Sequence, residues 1–220
     1  MAANFYRDNR QRFLHEMEDG SLLLLFSGEA ILQSADSFYP FFVNRNFYYM
    51  TGINVAGAIL MIVKNADTPQ ETLYIPDPEK APPGSDNFPM TAEEAAEISG
   101  IPHIAFAEKF IPQLQNLMTG PRRDGIPCQD ITTVYADMER RTFDSAAGTG
   151  SAFVQKMKDR YPYLRFADAY RMIANYRRVK SSQEIQEIRR AISITKKGIL
   201  AILKTCRAAK NECELEAAFR

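Results

Sequence analysis

The chain has 220 residues, its 27 Lys and Arg balanced by 27 Asp and Glu, with 45% hydrophobic and 25% charged positions. That balance suits a globular protein of one large domain, or one domain and part of another, and excludes intrinsic disorder. Zero net charge leaves no electrostatic footprint for nucleic acid, and no apolar run approaches the ~18–20 residues of a membrane span, so neither partner is expected. The polar N-terminus, MAANFYRDNRQRF, lacks the apolar stretch of a signal peptide. Cys128, Cys206 and Cys213 are too dispersed for a disulfide framework, which predicts a cytoplasmic location, with Cys206 and Cys213 as buried thiols. His15 and His103 are isolated, so neither belongs to a metal-spaced pair.

In chain order, residues 3–18 read as a helix with Tyr6, Phe13, Leu14 and Met17 on one side and Arg10 interrupting the stripe. Asp19-Gly20 stops it. Ser21 to Phe26, SLLLLF, reads as a strand buried on both faces, because an apolar run without alternation has no solvent side. Val55 to Lys64 is a second buried strand, and Glu71 to Ile75 returns antiparallel to it. Residues 76–89, PDPEKAPPGSDNFP, form a long proline-rich loop or arm. Thr91 and Glu94 make a capping box for a short helix ending at Gly100.

Pro102 to Ala107 is a strand, and 109–118 a helix that buries Phe110, Ile111, Leu114, Leu117 and Met118. Asp130 to Tyr135 is a strand rich in β-branched residues. Residues 150–160 form a helix with Ala152, Phe153 and Met157 inward. Leu164 to Ala167 is a short strand or link, and 169–176 a short helix carrying Met172, Ile173 and Tyr176. Strands alternating with helices predict an α/β sandwich, and the antiparallel pairings make its sheet mixed. After residue 178 the character changes. A second capping box at Ser181 and Glu184 opens a helix from about 182 to 207, with Ile185, Ile188, Ile192, Thr195, Ile199, Ile202 and Cys206 at 3-4 spacing. Asn211 caps a further helix, which is expected to be cut by the chain end at Arg220.

The segment that fits no single period is Ser34 to Gly52, SADSFYPFFVNRNFYYMTG. It packs seven aromatics among Asp36, Asn44, Arg45 and Asn46. From the residues alone, Asp36 reads as a turn position, Phe41, Phe42 and Phe47 as packing aromatics, and Asn44 to Asn46 as a hydrogen-bonding cluster. Tyr39, Tyr48 and Tyr49 join a ring that can pack to a polar tip that seeks water or a partner.

The strings Ser34-Ala35-Asp36-Ser37, Tyr39-Pro40-Phe41, Asn44-x-Asn46-Phe47-Tyr48-Tyr49 and Thr51-Gly52 resemble the N-terminal domain of aminopeptidase P, in the creatinase/prolidase family. TAEEAAEISGI at 91–101 and Arg178-Val179-Lys180-Ser181 with Glu184-Ile185 extend the resemblance over most of the chain. It implies a creatinase-type α/β N-terminal domain over residues 1–178. Residues 179–220 would be the linker and first helices of a truncated "pita-bread" catalytic domain. The activity implied is that of an Xaa-Pro aminopeptidase, a homo-oligomer acting on peptides with proline in second position. It uses two divalent metals, usually manganese, held by two Asp, one His and two Glu.

None of those ligands is placed in this chain, so no cofactor and no catalysis are expected of it alone. Its share would be pocket wall. Asp36 matches the family's acidic position near the substrate's amino end. Tyr39 stands in the same string, and Phe88 is the one aromatic in the loop where relatives reach a neighbouring site, often with Trp. The chain has no Trp, and Gln33 stands where relatives carry a basic residue. A non-catalytic peptide- or protein-binding or assembly module, and a prolidase- or creatinase-like hydrolase, are the alternatives on the same scaffold.

Overall fold

The fold is described by a computed structural model that covers residues 3–35, 37–65, 68–80, 90–119, 131–138, 142–144 and 146–219. The chain divides into two compact units, one reaching Arg178 and one from Val179 onward.

In the first unit, α1 (Ala3–Glu16) leads to β1 (Ser21–Phe26), the small hairpin β2 (Leu32–Ser34) and β3 (Ser37–Phe38), and α2 (Arg45–Thr51). Then come β4 (Ile59–Lys64), β5 (Gln70–Ile75), a 3₁₀ turn at Pro78–Lys80, α3 (Ala92–Ser99) and β6 (His103–Phe106). The unit continues with α4 (Phe110–Thr119), β7 (Thr133–Ala136), α5 (Thr149–Arg160), β8 (Arg165–Asp168) and α6 (Ala169–Arg178). The main sheet runs β6-β5-β4-β1-β7-β8. β1–β4 and β4–β5 pair antiparallel, whereas β1–β7, β5–β6 and β7–β8 pair parallel, so the sheet is mixed.

β1 lies inside that sheet, and its six residues are all buried. Successive side chains point to opposite faces. Leu23 and Leu25 join a core with Phe5, Phe13, Phe47, Ala95 and Ile173, from α1, α2, α3 and α6. Leu22, Leu24 and Phe26 join the other with Phe110, Leu114 and Met157, from α4 and α5. Helices therefore cover both faces, which is why the strand is a leucine run and not an alternation.

Arg10 corrects the sequence reading. It is fully buried in the stripe it was expected to interrupt. Its Nε donates to Glu71 Oε2 on β5 at 2.8 Å, and its Nη1 donates to the carbonyls of Met50 and Ser99, both at 2.9 Å. Those carbonyls sit in the last turns of α2 and α3, where intrahelical donors run out. Asn9 does the same for Tyr49 O at 2.9 Å. Burial lowers the Arg10 pKa, while the Glu71 carboxylate works against that shift. Both helices then stop at left-handed glycines, Gly52 (φ 74°) and Gly100 (φ 68°).

Other differences are local. The second strand starts at Ile59, not Val55, because Gly57 turns at φ 74° and its N–H bonds Gly28 O. Ile111 is exposed, since α4 turns Phe110 and Leu114 inward. On α5, Val154 is buried and Ala152 is exposed. Asp130 lies outside the described residues, and the strand there is Thr133–Ala136.

The second unit holds α7 (Ser182–Thr205) and α8 (Glu212–Phe219). Ser181 and Glu184 form the expected capping box. Gly198 admits the close approach of the helices: a Cβ there would lie 2.8 Å from the Phe219 ring. Neither helix buries a residue, and Cys206 and Cys213 are exposed, not buried as expected, because two helices alone cannot enclose them. Among the described residues, no helix is long and apolar enough to cross a membrane.

Candidate functional site

The aromatic segment resolves into three conformations. The β2–β3 hairpin is an exposed arm that turns through Ala35 at φ 47°. Phe38 and Tyr39 on it are more than half exposed, and Tyr39 N donates to Ile31 O at 2.9 Å. The chain then runs back to the end of β1, where Asn44 N donates to Ser27 O at 2.7 Å. Asn44 opens α2, its Oδ1 accepting from the backbone N–H of Asn46 (2.8 Å) and Phe47 (3.0 Å). Within α2, Phe47 and Tyr49 are buried and Tyr48 is exposed. Phe42, expected to pack, is 87% exposed.

Asp137, directly after β7, holds this segment in place. Its Oδ2 accepts from Asn44 Nδ2 at 3.0 Å and Asn46 Nδ2 at 2.9 Å. Asn46 Oδ1 in turn accepts from Arg177 Nη1 on α6 at 2.7 Å. At the end of β8, Asp168 Oδ1 accepts from the N–H groups of Met138 (3.2 Å) and Tyr170 (3.0 Å). The cluster thus sits at the C-terminal ends of the parallel strands β1, β7 and β8, the usual place for a site in an α/β sheet. Gly150 lets the start of α5 reach Asp137, since a Cβ there would lie 2.6 Å from the Asp137 carbonyl oxygen.

A cleft of about 1190 Å³ opens beside this cluster. Its lining runs from Phe41 to Asn46 and takes in Tyr48, Gly52, Asn54, Met90, Ile98, Tyr170 and Arg177. Tyr39 does not line it. Asp36 and Phe88 lie outside the described residues, as does the loop over 81–89. Among the described residues, no group of three or more His, Cys, Asp or Glu side chains could hold a metal ion. The donors around the cleft are amides, phenols and guanidinium groups, a set unsuited to a two-metal centre.

Removing the Asp137 carboxylate is expected to loosen this wall. Asp137→Ala leaves two amide groups without their acceptor and should cost about 1–2 kcal/mol in urea unfolding. Asp137→Asn, which keeps one acceptor oxygen, should lose less than half of that. Equal stability of all three proteins would show that the cluster contributes nothing.

The family model for the aminopeptidase P N-terminal domain matches residues 6–124, more than half of the chain. The chain belongs to the aminopeptidase P N-terminal domain family. A protein of Uncinocarpus reesii described as a probable Xaa-Pro aminopeptidase is 28% identical over 210 residues, which cover 92% of this chain and 39% of that one. The Escherichia coli Xaa-Pro aminopeptidase is 38% identical over 63 residues, 29% of this chain and 14% of that one. A solved structure described as a putative aminopeptidase P from Bacillus anthracis superposes on the whole chain with a TM-score of 0.85 and 32% identity, covering 50% of that chain. The aminopeptidase P-type chain therefore spans half or less of the relatives' length.

Sequence reasoning missed two residues of this cluster, Asp137 and Arg177. Asp137 lies 91 positions from Asn46 and Arg177 lies 131 positions from it, and no local motif links them. The one available signal was Asn44-x-Asn46, a buried and a half-buried amide that need distant partners.

Proposed function

We propose that this chain serves as the N-terminal part of an Xaa-Pro aminopeptidase. Its role is to supply wall to the substrate pocket and contacts within a homo-oligomer. The observation that carries this reading is the superposition of the whole chain on the Bacillus anthracis aminopeptidase P at a TM-score of 0.85 and 32% identity. The substrate class is a peptide with proline in second position. One Escherichia coli aminopeptidase P structure holds the inhibitor Pro-Leu and another is zinc-substituted with product, which supports peptide and metal chemistry in the family. The complete enzyme would use two divalent metals, manganese by the resemblance, in the cytoplasm. The described residues here do not fit such a centre, and no chemical step is assigned to them. Residues 179–220 would join this domain to the catalytic one.

Asp36 is the proposed partner of the substrate's α-ammonium, with Tyr39 and Phe88 as further pocket contacts. A charge-assisted pair of that kind corresponds to roughly 10–100-fold in kcat/KM. In the complete enzyme, Asp36→Asn should therefore lower kcat/KM for short Xaa-Pro peptides by that factor while leaving metal content unchanged. Unchanged turnover would reduce Asp36 to a turn residue. A complete protein that leaves Xaa-Pro peptides uncleaved with manganese present would sink the aminopeptidase reading.

A further inference from the structure

Among the described residues, the hairpin β2–β3 stands apart from the main sheet. Leu32 and Phe38 lie opposite each other across it, and Ile31 and Tyr39 follow at its base. All four are more than half exposed. A two-stranded hairpin on its own is marginally stable in water, so one with apolar side chains this open needs a cover. From Tyr39 the chain passes through Pro40 straight into the cleft lining at Phe41. There Phe42 is 87% exposed, Tyr48 40% and Ile98 37%. At about 200 Å² for a fully exposed large side chain, these seven residues leave roughly 800 Å² open. The largest apolar patch on a monomer is about 300–600 Å², whereas each partner in a standard interface gives up about 800 Å².

We infer that this patch is the contact with a second copy of the chain, made by exchange: the arm of each copy lies across the cleft of the other. A two-fold interface must be self-complementary, and a projecting arm beside an open cleft supplies both halves on one surface. The area selects a second copy, because a short peptide fills the cleft but leaves Ile31, Leu32 and Phe38 in water. The chain's charges balance, so two copies meet without net repulsion. The exchange sets Phe38 and Tyr39 of one copy against Phe42, Tyr48 and Ile98 of the next, so the cleft wall is incomplete in a single copy. Tyr39, which does not line its own cleft, lines its neighbour's. The inference deepens the homo-oligomer part of the proposed function, and it rests on that reading only for the cleft's being a substrate pocket.

Sedimentation equilibrium of the 220-residue protein should show a dimer with a dissociation constant at or below about 10 μM. Phe38→Glu and Phe42→Glu, both at exposed positions, should each weaken it at least about tenfold. Ile192→Glu, on the exposed stripe of α7, should leave it unchanged. A cross-link reports the exchange itself. With the three native cysteines replaced by Ser, a Phe38→Cys protein and a mass-tagged Ile98→Cys protein are mixed and treated with a bismaleimide. The mixed 38–98 pair should form. A monomer at about 100 μM, a dimer that Ile192→Glu dissolves and Phe38→Glu spares, or a dimer without the 38–98 cross-link would each overturn the exchange. The outcomes separate from those of the proposed function. A complete protein that cleaves Xaa-Pro peptides but lacks the cross-link sinks the exchange alone. One that forms the cross-link but cleaves nothing sinks the aminopeptidase reading alone.

Discussion

Arg10→Ala is expected to lower the unfolding free energy of the first unit by about 3–5 kcal/mol, the cost of breaking a buried ion pair by removing one partner. The side chain is fully buried and its partner Glu71 is 15% exposed. Truncation leaves the Glu71 carboxylate without its guanidinium and strips the Met50 and Ser99 carbonyls of their shared donor. Four elements meet at this one side chain: α1, which carries it, the ends of α2 and α3, and β5. Domains of this size are stable by only about 5–15 kcal/mol, so the variant should unfold at far lower urea or fail to accumulate. Arg10→Lys should rescue little, because one ammonium cannot reproduce a planar fork aimed at three acceptors. A loss below about 1 kcal/mol in Arg10→Ala would mean that water or a neighbour replaces the guanidinium, and the network would then carry no weight.

Gly52→Ala is the second large effect, at about 2–4 kcal/mol, and it acts at the end of the helix that forms the cleft wall. Two costs combine. A non-glycine residue at φ 74° is disfavoured by about 1–2 kcal/mol. A Cβ would also stand 2.4 Å from Tyr6 Cε2, inside a ring that is 2% exposed and has nowhere to move. Overpacking of that kind costs about 1–3 kcal/mol. Gly100 supplies the control. Its φ is 68°, yet a Cβ there meets nothing nearer than 3.5 Å. Gly100→Ala should therefore show the backbone cost alone, and the excess in Gly52→Ala measures the clash with Tyr6. Equal losses at both sites would remove the clash from the account. Because Gly52 itself lines the cleft, chemical shifts of Tyr48 and Arg45 should move in Gly52→Ala and stay fixed in Gly100→Ala.

The fold was legible where a local rule sufficed. SLLLLF announces a strand with no solvent face, and it lies inside a sheet covered on both sides. Thr91 with Glu94 and Ser181 with Glu184 close the expected capping boxes, because both partners lie within one turn. Legibility stopped where burial depends on distant partners. Arg10 looked like a break in an apolar stripe, since periodicity treats charge as a mark of solvent. Its acceptors lie 40, 61 and 89 positions away, and only the packed structure brings them together. The same holds for Asp137 and Arg177, which organise Asn44 and Asn46 from distant strand and helix ends. Phe42 shows the opposite error. An aromatic in a dense aromatic string reads as packing, but Phe42 is exposed and lines the cleft. Tyr39 sits on an exposed arm away from that cleft, and Asp36 and Phe88 lie outside the described residues, so their contacts with substrate stand as proposals.

The most direct test of the central claim, that these residues form the substrate-pocket wall of an Xaa-Pro aminopeptidase, is a chimera. Residues 1–178 would replace the corresponding half of the Bacillus anthracis aminopeptidase P, and hydrolysis of an Ala-Pro tripeptide would be measured with manganese. The chimera should fold, bind metal and cleave the Xaa-Pro bond, and the 220-residue chain alone should not cleave it. A folded, metal-loaded chimera without turnover, or metal-dependent cleavage by the chain alone, would contradict it.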